Sequence, residues 1–127
     1  MSLKIRSKEN STGLFDITLD GRIDSATYKQ LETLLEPLLG RATRSIKFDM
    51  ANVTYMSSMG IRVFLKTAKA LQAAGGKMAV VNMQPQIKKV FEIANALTTF
   101  SIFESTEEAD HYFDLMQKQV LDKQDGH

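Results

Sequence analysis

The chain has 127 residues, 16 of them basic and 15 acidic, which suits one domain with its own core; a net charge of +1 gives no overall field for binding nucleic acid or an anionic membrane. With no cysteine and only two histidines, a disulfide framework and a thiolate metal site are excluded, and we expect no metal and no cofactor. No apolar run approaches the roughly 20 residues of a membrane span and no signal-peptide pattern opens the chain, so a soluble cytoplasmic protein without membrane insertion is expected.

The first predicted elements are two strands joined by a hairpin. Residues 3–6 form the first, and residues 14–19 the second, because Phe15, Ile17 and Leu19 alternate with polar residues in the period of a half-buried strand. The segment 10–13, with the sequence NSTG, predicts the turn between them. The Asp-Gly pair at residues 20–21 predicts a second turn.

A first amphipathic helix follows, with apolar residues at helical spacing: Tyr28, Leu31, Leu35 and Leu38. Asp24 and Ser25 offer capping side chains ahead of it. Because Pro37 removes a backbone donor and clashes with the preceding turn, we expect the helix to kink or end near Glu36, with Gly40 closing the segment.

The middle of the chain predicts a central strand from Arg44 to Met50 that continues toward a pair of serines. From Ser58 the period changes to that of a helix, which a left-handed cap at residues 75–76, both glycine, should end. Residues 78–81 suit a buried strand, and Pro85 a first helical position of the next helix.

The last predicted elements are a strand over residues 98–103 and a helix preceded by the capping box Ser105 to Glu108. The order of the elements predicts an α/β fold, a mixed sheet of four to five strands flanked by four α-helices, because consecutive strands separated by helices are typically parallel. The whole chain, residues 1–127, is predicted to be one domain.

Three local sequences, together with the order of elements, resemble the STAS domain, the fold of bacterial anti-sigma factor antagonists. They are Leu19 to Asp24 (LDGRID), Ser45 to Met50 (SIKFDM) and Val53 to Ile61 (VTYMSSMGI). The third is similar to the family's loop Asp-Ser-[Ser/Thr/Ala]-Gly-[Leu/Ile/Val]. The resemblance covers about residues 3 to 118.

The resemblance implies a phosphorylatable partner-switching regulator. Aligned on Gly60, the family's phosphorylated serine falls on Ser58, while Ser57 replaces the usual aspartate and Met59 the following small residue; Ser57 is the alternative phosphate acceptor. The implied partner is an anti-sigma factor that is also a serine kinase and binds the unphosphorylated form, and a serine phosphatase is a further candidate partner. The predicted partner-binding residues are Asp24, Ser25, Ser57, Met59, Gly60, Arg62 and Lys66.

Several of these residues have a structural alternative. Ser58 could be an ordinary N-cap, and Asp24 could only cap the first helix. Asp49 could orient the serine loop or be a solvated carboxylate at a strand end. The basic residues Arg62 and Lys66 could form a docking surface for an acidic patch or a solvated helix face.

The function classes that remain are a phosphorylatable anti-sigma factor antagonist and, as the alternative, a non-phosphorylated STAS subunit of a lipid-transport or sensory complex. An enzyme is not expected, because the sequence offers no nucleophile with an adjacent base and no glycine-rich phosphate loop. Nucleic acid is not an expected partner, since no aromatic residues interleave the basic ones.

Overall fold

The computed structural model describes residues 3–40, 43–93, 101–103 and 105–111. Its elements are β1 Leu3–Ser11, β2 Leu14–Ile23, α1 Tyr28–Leu39, β3 Ser45–Met56, α2 Ser58–Ala73, β4 Lys77–Val81, α3 Pro85–Ile93 and β5 Ser101–Phe103. Residues 106–111 form a further helical segment, α4. The start of the predicted last strand at residue 98 and most of the predicted last helix lie outside the described residues.

The sheet has five strands in the order β1-β2-β3-β4-β5. Strand β1 is antiparallel to β2, whereas β2, β3, β4 and β5 are parallel to one another. Helices connect the parallel strands because a parallel pair cannot be joined by a short hairpin. The prediction of a mixed α/β sheet with β3 at its centre is confirmed.

The core lies between one face of the sheet and helices α1, α2 and α3. Its centre is a row of three fully buried aromatic rings, contributed by Phe48 on β3, Phe64 on α2 and Phe91 on α3. The ring centroids are 4.8 Å apart for Phe48 and Phe64 and 5.7 Å apart for Phe64 and Phe91, both in edge-to-face arrangements. This geometry adds a directional attraction to the burial of apolar area and fixes where α2 lies on the sheet.

The opposite face of the sheet carries a buried lysine that contacts α4. Lys47 is only 8 % exposed, and its Nζ lies 2.8 Å from Oδ1 of Asp110 and 3.6 Å from Oδ1 of Asp16. A buried ammonium needs such partners, because an unpaired charge in the interior is strongly unfavourable. The lysine therefore links β2, β3 and α4 on this face.

The Asp-Gly pair at residues 20–21 does not form the predicted turn. Both residues lie in β2, which runs to Ile23, and Gly21 is paired with Leu3 of β1 on one side and with Val53 of β3 on the other. The pairing of β2 with β3 shifts register on both sides of this segment, and Gly21 adopts a φ of 123°. A glycine in that conformation permits a bulge, and the two neighbouring strands keep the chain extended.

Helix α1 does not end near Glu36, one of the two outcomes predicted for Pro37; it continues through Pro37 to Leu39, and Gly40 is its C-cap as predicted. Pro37 lies in the last turn and on the exposed side, while Leu35 and Leu38 are buried. The burial of these leucines on both sides of the proline outweighs the single hydrogen bond that it removes.

The other helix boundaries follow the predicted signals. Helix α2 begins at Ser58 and ends at Ala73, with Ala74 as its C-cap; Gly75 follows with a φ of 79°, the left-handed conformation that the sequence predicted. Pro85 opens α3, and the hydroxyl of Ser105 accepts a hydrogen bond from the N–H of Glu108 at 3.2 Å. Within the described part of the chain, no helix has the length and apolar character to cross a membrane.

Candidate functional site

The serine loop, residues 57–60, lies at the carboxyl ends of the parallel strands β2 and β3. Ile23 and Met56 are register partners and are the last residues of these strands. The N–H of Ser57 then donates to the carbonyl of Ile23 at 2.8 Å. This hydrogen bond joins the start of α2 to the segment that leads into α1, so the two predicted parts of the site, residues 24–25 and 57–60, are neighbours.

Ser57 is the N-cap of α2. Its backbone is extended, with φ −89° and ψ 170°, and its hydroxyl accepts a hydrogen bond from the N–H of Gly60 at 3.3 Å. The side chain is half-buried. Serine thus supplies the capping acceptor that the family's aspartate would supply, and its hydroxyl is engaged within the helix end.

Ser58 is the first residue of α2 and is exposed to solvent. The alternative that Ser58 is the N-cap is wrong, because that position belongs to Ser57. A group attached to the hydroxyl of Ser58 lies at the end of the helix where unpaired N–H groups and the positive end of the macrodipole favour negative charge. The local electrostatics therefore suit a phosphate better than an internal helix position would.

Gly60 is buried beneath the first turn of α2. A Cβ atom at this position would lie 2.4 Å from Sδ of Met56 and 2.6 Å from Cγ2 of Ile23. No ordinary Cβ makes contacts this short, so the absence of a side chain lets the helix start pack directly on the ends of β2 and β3. Partner binding by Gly60 stays a prediction; the structure shows that the residue is buried and allows the close packing of the helix start that carries Ser58.

Asp24 organises the entrance to α1. Its Oδ1 accepts hydrogen bonds from the backbone N–H groups of Ala26 at 2.9 Å and of Thr27 at 3.1 Å, and Oδ2 lies 3.5 Å from Nε of Arg22. The hydrogen bond from Ala26 is the main cause that lowers the pKa of Asp24; desolvation opposes it, and hydrogen bonds from Thr27 and Arg22 support it. The carboxylate is therefore held in its charged form at the edge of the serine loop.

We expect the contribution of Asp24 to stability to depend on pH. Because the pKa is lower in the folded protein than in the unfolded chain, the unfolded chain binds the proton more readily; the stabilisation is complete above the unfolded value of about 3.9 and is lost as the pH falls through the folded value. Asp24→Asn should therefore unfold at a lower urea concentration than the unmodified protein at pH 7, and the difference should be smaller at a pH below the unfolded value of about 3.9. An equal difference at both pH values would contradict this prediction.

The other predicted partner-binding residues differ in exposure. Ser25 and Arg62 are exposed, and Met59 is half-buried in the first turn of α2. Lys66 is exposed and lies 3.8 Å from a carboxylate oxygen of Glu32 on α1. The basic side chains of Arg62 and Lys66 on α2 are thus on the surface, beginning one turn after Ser58. Glu32 on α1 partly neutralises Lys66.

Asp49, the last residue of β3 that pairs with β4, makes its hydrogen bonds away from the serine loop. Its Oδ1 accepts hydrogen bonds from the N–H of Ala51 at 3.0 Å and from Nδ2 of Asn82 at 3.2 Å. Asn82 has a positive φ of 61°, so the carboxylate ties β3 to the tight connection after β4. Among the described residues, no cluster of histidine, aspartate and glutamate could hold a metal ion.

Sequence reasoning missed a pair of residues beside the site. Cζ of Arg22 lies 4.3 Å from the centroid of the Tyr55 ring, and the tyrosine is 42 % exposed. Strict alternation would place Tyr55 on the buried face with Val53. The buried residues at the end of β3 are instead Met50, Val53 and Met56, three positions apart, because the register of β2 and β3 shifts here. Only the irregular spacing of apolar residues hints at this shift in the sequence.

The chain is similar to curated proteins over most of its length. The STAS domain family model matches residues 6–109. BtrV of Bordetella bronchiseptica, named as a candidate anti-sigma factor antagonist, is 33 % identical over 97 residues, which cover 76 % of this chain and 84 % of that protein. The anti-sigma-B factor antagonist of Staphylococcus aureus is 30 % identical over 93 residues, covering 73 % of this chain and 86 % of that protein.

The fold is also similar to that of SpoIIAA, an anti-sigma factor antagonist and Bacillus cell fate determinant. The TM-score is 0.70 at 19 % identity with its unphosphorylated form, over 90 % of this chain and 98 % of SpoIIAA. Its phosphorylated form gives the same score and identity, over 87 % of this chain and 99 % of SpoIIAA. The family match across most of the sequence, the relatives of at least 30 % identity and the shared fold establish that the chain belongs to the STAS domain family.

Proposed function

We propose that this protein is an anti-sigma factor antagonist that binds an anti-sigma factor with serine kinase activity while Ser58 is unphosphorylated. Binding of the anti-sigma factor releases a sigma factor, and phosphorylation of Ser58 by the bound kinase ends the interaction. A serine phosphatase completes the cycle by restoring the free hydroxyl. The names of its relatives in the STAS family support the antagonist function.

The observation that carries this proposal is the division of work between two adjacent serines. Ser57 closes the helix end with its hydroxyl, which leaves Ser58 exposed in the first turn of α2. A kinase needs an accessible hydroxyl, and the protein needs to tolerate the product without unfolding. These requirements favour residue 58, because the hydroxyl of Ser57 is half-buried and already accepts a hydrogen bond from the N–H of Gly60, while the helix end favours the added charge.

Release of the partner follows from the charge of the phosphate. Phosphorylation adds about −1.5 to −2 charges and three strong acceptors at the centre of the contact, where the partner was complementary to a neutral hydroxyl. In the free protein the helix end and water both stabilise that charge, whereas the complex replaces the water with a partner surface that is not complementary to it. The equal similarity of the fold to both forms of SpoIIAA supports a mechanism without refolding.

The basic side chains of α2 give the proposed surface a preferred kind of partner. Arg62 is four residues after Ser58, one helical turn along the same face, and is exposed. An acidic patch on the anti-sigma factor would be attracted to Arg62 in the unmodified protein. After phosphorylation, the phosphate at residue 58 competes for the same arginine, which weakens the partner's hold further.

The test is direct binding to purified anti-sigma factors from the genome that encodes the chain. Each is titrated into the protein by calorimetry, first without ATP and then after incubation with ATP, and the intact mass of the protein is measured. We expect one anti-sigma factor to bind, the mass to increase by one phosphate with ATP, and the affinity of the modified protein to fall.

Two outcomes would overturn the proposal. If no anti-sigma factor binds, the protein is not an antagonist, and co-purification with the subunits of a lipid-transport or sensory complex would then favour the alternative function. If an anti-sigma factor binds but ATP changes neither mass nor affinity, the protein is an antagonist without this switch.

A further inference from the structure

An arginine and a tyrosine form an exposed pair near the carboxyl ends of β2 and β3, the end of the sheet that carries Ser58. Cζ of Arg22 lies 4.3 Å from the centroid of the Tyr55 ring, at the distance of a cation–π contact. Nε of the same guanidinium lies 3.5 Å from Oδ2 of Asp24. Two independent contacts therefore hold the side chain, one on its face and one on its edge.

The pair remains accessible despite these contacts. The side chain of Arg22 is 44 % exposed, and Tyr55, at 42 % exposure, is one of the few large apolar side chains on the surface among the described residues. Folding alone gains little from leaving a tyrosine ring half in water. An aromatic ring and an arginine in this state are the residue types that dominate protein–protein interfaces.

The pair is next to the serine loop in the fold. Arg22 and Tyr55 are register partners on β2 and β3, and one residue later Ile23 and Met56 are paired. Ser57, directly after Met56, donates its N–H to the carbonyl of Ile23. A protein that covers Ser58 at the start of α2 therefore meets a surface that continues onto the arginine and tyrosine.

We propose that Arg22 and Tyr55 form the anchor that recognises the anti-sigma factor, with the guanidinium binding a carboxylate of the partner and the tyrosine ring packing beside it. Because Tyr55 and Asp24 already fix the guanidinium, little rotamer freedom is lost on binding. A planar fork held in place can bind a carboxylate with two hydrogen bonds, which a lysine cannot do. This inference rests on the proposed antagonist function and specifies which residues select the partner.

The experiment measures the affinity of the anti-sigma factor for five variants by calorimetry and surface plasmon resonance. Arg22→Lys retains the charge but loses the fork, and we expect binding about tenfold weaker, mainly through faster dissociation. Tyr55→Ala removes the support of the guanidinium and should weaken binding about as much. Tyr55→Phe keeps the ring and should bind within about twofold of the unmodified protein.

The double variant and a matched control complete the design. Arg22→Lys combined with Tyr55→Ala should be little weaker than either single change, since residues that act as a unit are not additive. Arg6→Ala removes an arginine that is also exposed, from β1, and should leave the affinity unchanged. Circular dichroism checks that each variant is folded, which we expect because both side chains lie on the surface.

The outcomes separate this inference from the proposed function. If Arg22→Lys and Tyr55→Ala bind the anti-sigma factor as tightly as the unmodified protein, the anchor is refuted while the antagonist function stands. Equal losses for Arg6→Ala would also refute it, since the effect would then not be specific to the pair. If the unmodified protein binds no anti-sigma factor, both proposals fall together.

Discussion

Ser58→Ala should take up no phosphate from the cognate kinase, and Ser58→Asp should bind that kinase roughly 30- to 150-fold more weakly, which corresponds to about 2–3 kcal/mol. The alanine removes the exposed acceptor without disturbing the cap that Ser57 provides. The aspartate places a negative charge where the partner meets a neutral hydroxyl. Intact-mass measurement after incubation with ATP checks the first result, and calorimetry checks the second.

Ser57→Ala is the matched control for this prediction, because it removes the neighbouring hydroxyl, which caps the helix and is less exposed than that of Ser58. It should cost about 1 kcal/mol of stability through loss of the N-cap, seen as a lower urea midpoint, and should still incorporate phosphate. Phosphate uptake that persists in Ser58→Ala and disappears in Ser57→Ala would move the acceptor by one residue. Uptake that persists in both would place the modification outside the serine loop.

The sequence predicted those elements whose signals are local and unopposed. The change of period at Ser58 and the glycines at residues 75–76 gave both ends of α2, because an amphipathic face and a left-handed cap depend on a few neighbouring residues. The alternation before Met50 gave the central strand for the same reason. Tertiary contacts agreed with these preferences and did not need to override them.

The wrong predictions arose where distant contacts decide the local conformation. An Asp-Gly pair favours a turn in isolation, but at residues 20–21 strands on both sides hold it extended, and Gly21 forms a bulge instead. Pro37 weakens a helix end, yet buried leucines on either side keep the last turn of α1 helical. No short window of sequence contains the strands that hold residues 20–21 or the core against which Leu35 and Leu38 pack.

At the candidate site, too, residues of one local motif could be predicted from the sequence, whereas residues that distant contacts bring together could not. Residues near Ser58 could be located in advance because they belong to a contiguous motif, but which serine caps the helix depends on backbone angles that the sequence left open. Arg22 and Tyr55 are 33 positions apart and meet only because β2 and β3 pair in a shifted register. A pair created by strand register cannot be found from either local sequence.

Gly60 is the residue through which packing controls the site. Its Cα lies so close to the ends of β2 and β3 that an added Cβ would approach Sδ of Met56 to 2.4 Å and Cγ2 of Ile23 to 2.6 Å. The thioether can move away, but Ile23 is fully buried and its branched side chain has little freedom. The helix start must therefore shift outward if any larger residue occupies position 60.

Gly60→Ala should lower the free energy of unfolding by about 1–3 kcal/mol, as overpacking in a closed interior does, even though alanine is the better helix former by up to about 1 kcal/mol. Urea unfolding followed by circular dichroism measures the change. Gly40→Ala is the control, because a Cβ there meets nothing closer than 3.9 Å, so its effect should stay within about 0.5 kcal/mol. An outward shift would move Ser58 away from residues 22–24, so Gly60→Ala should also weaken binding of the anti-sigma factor. Unchanged stability and affinity would show that the glycine is not needed for close packing.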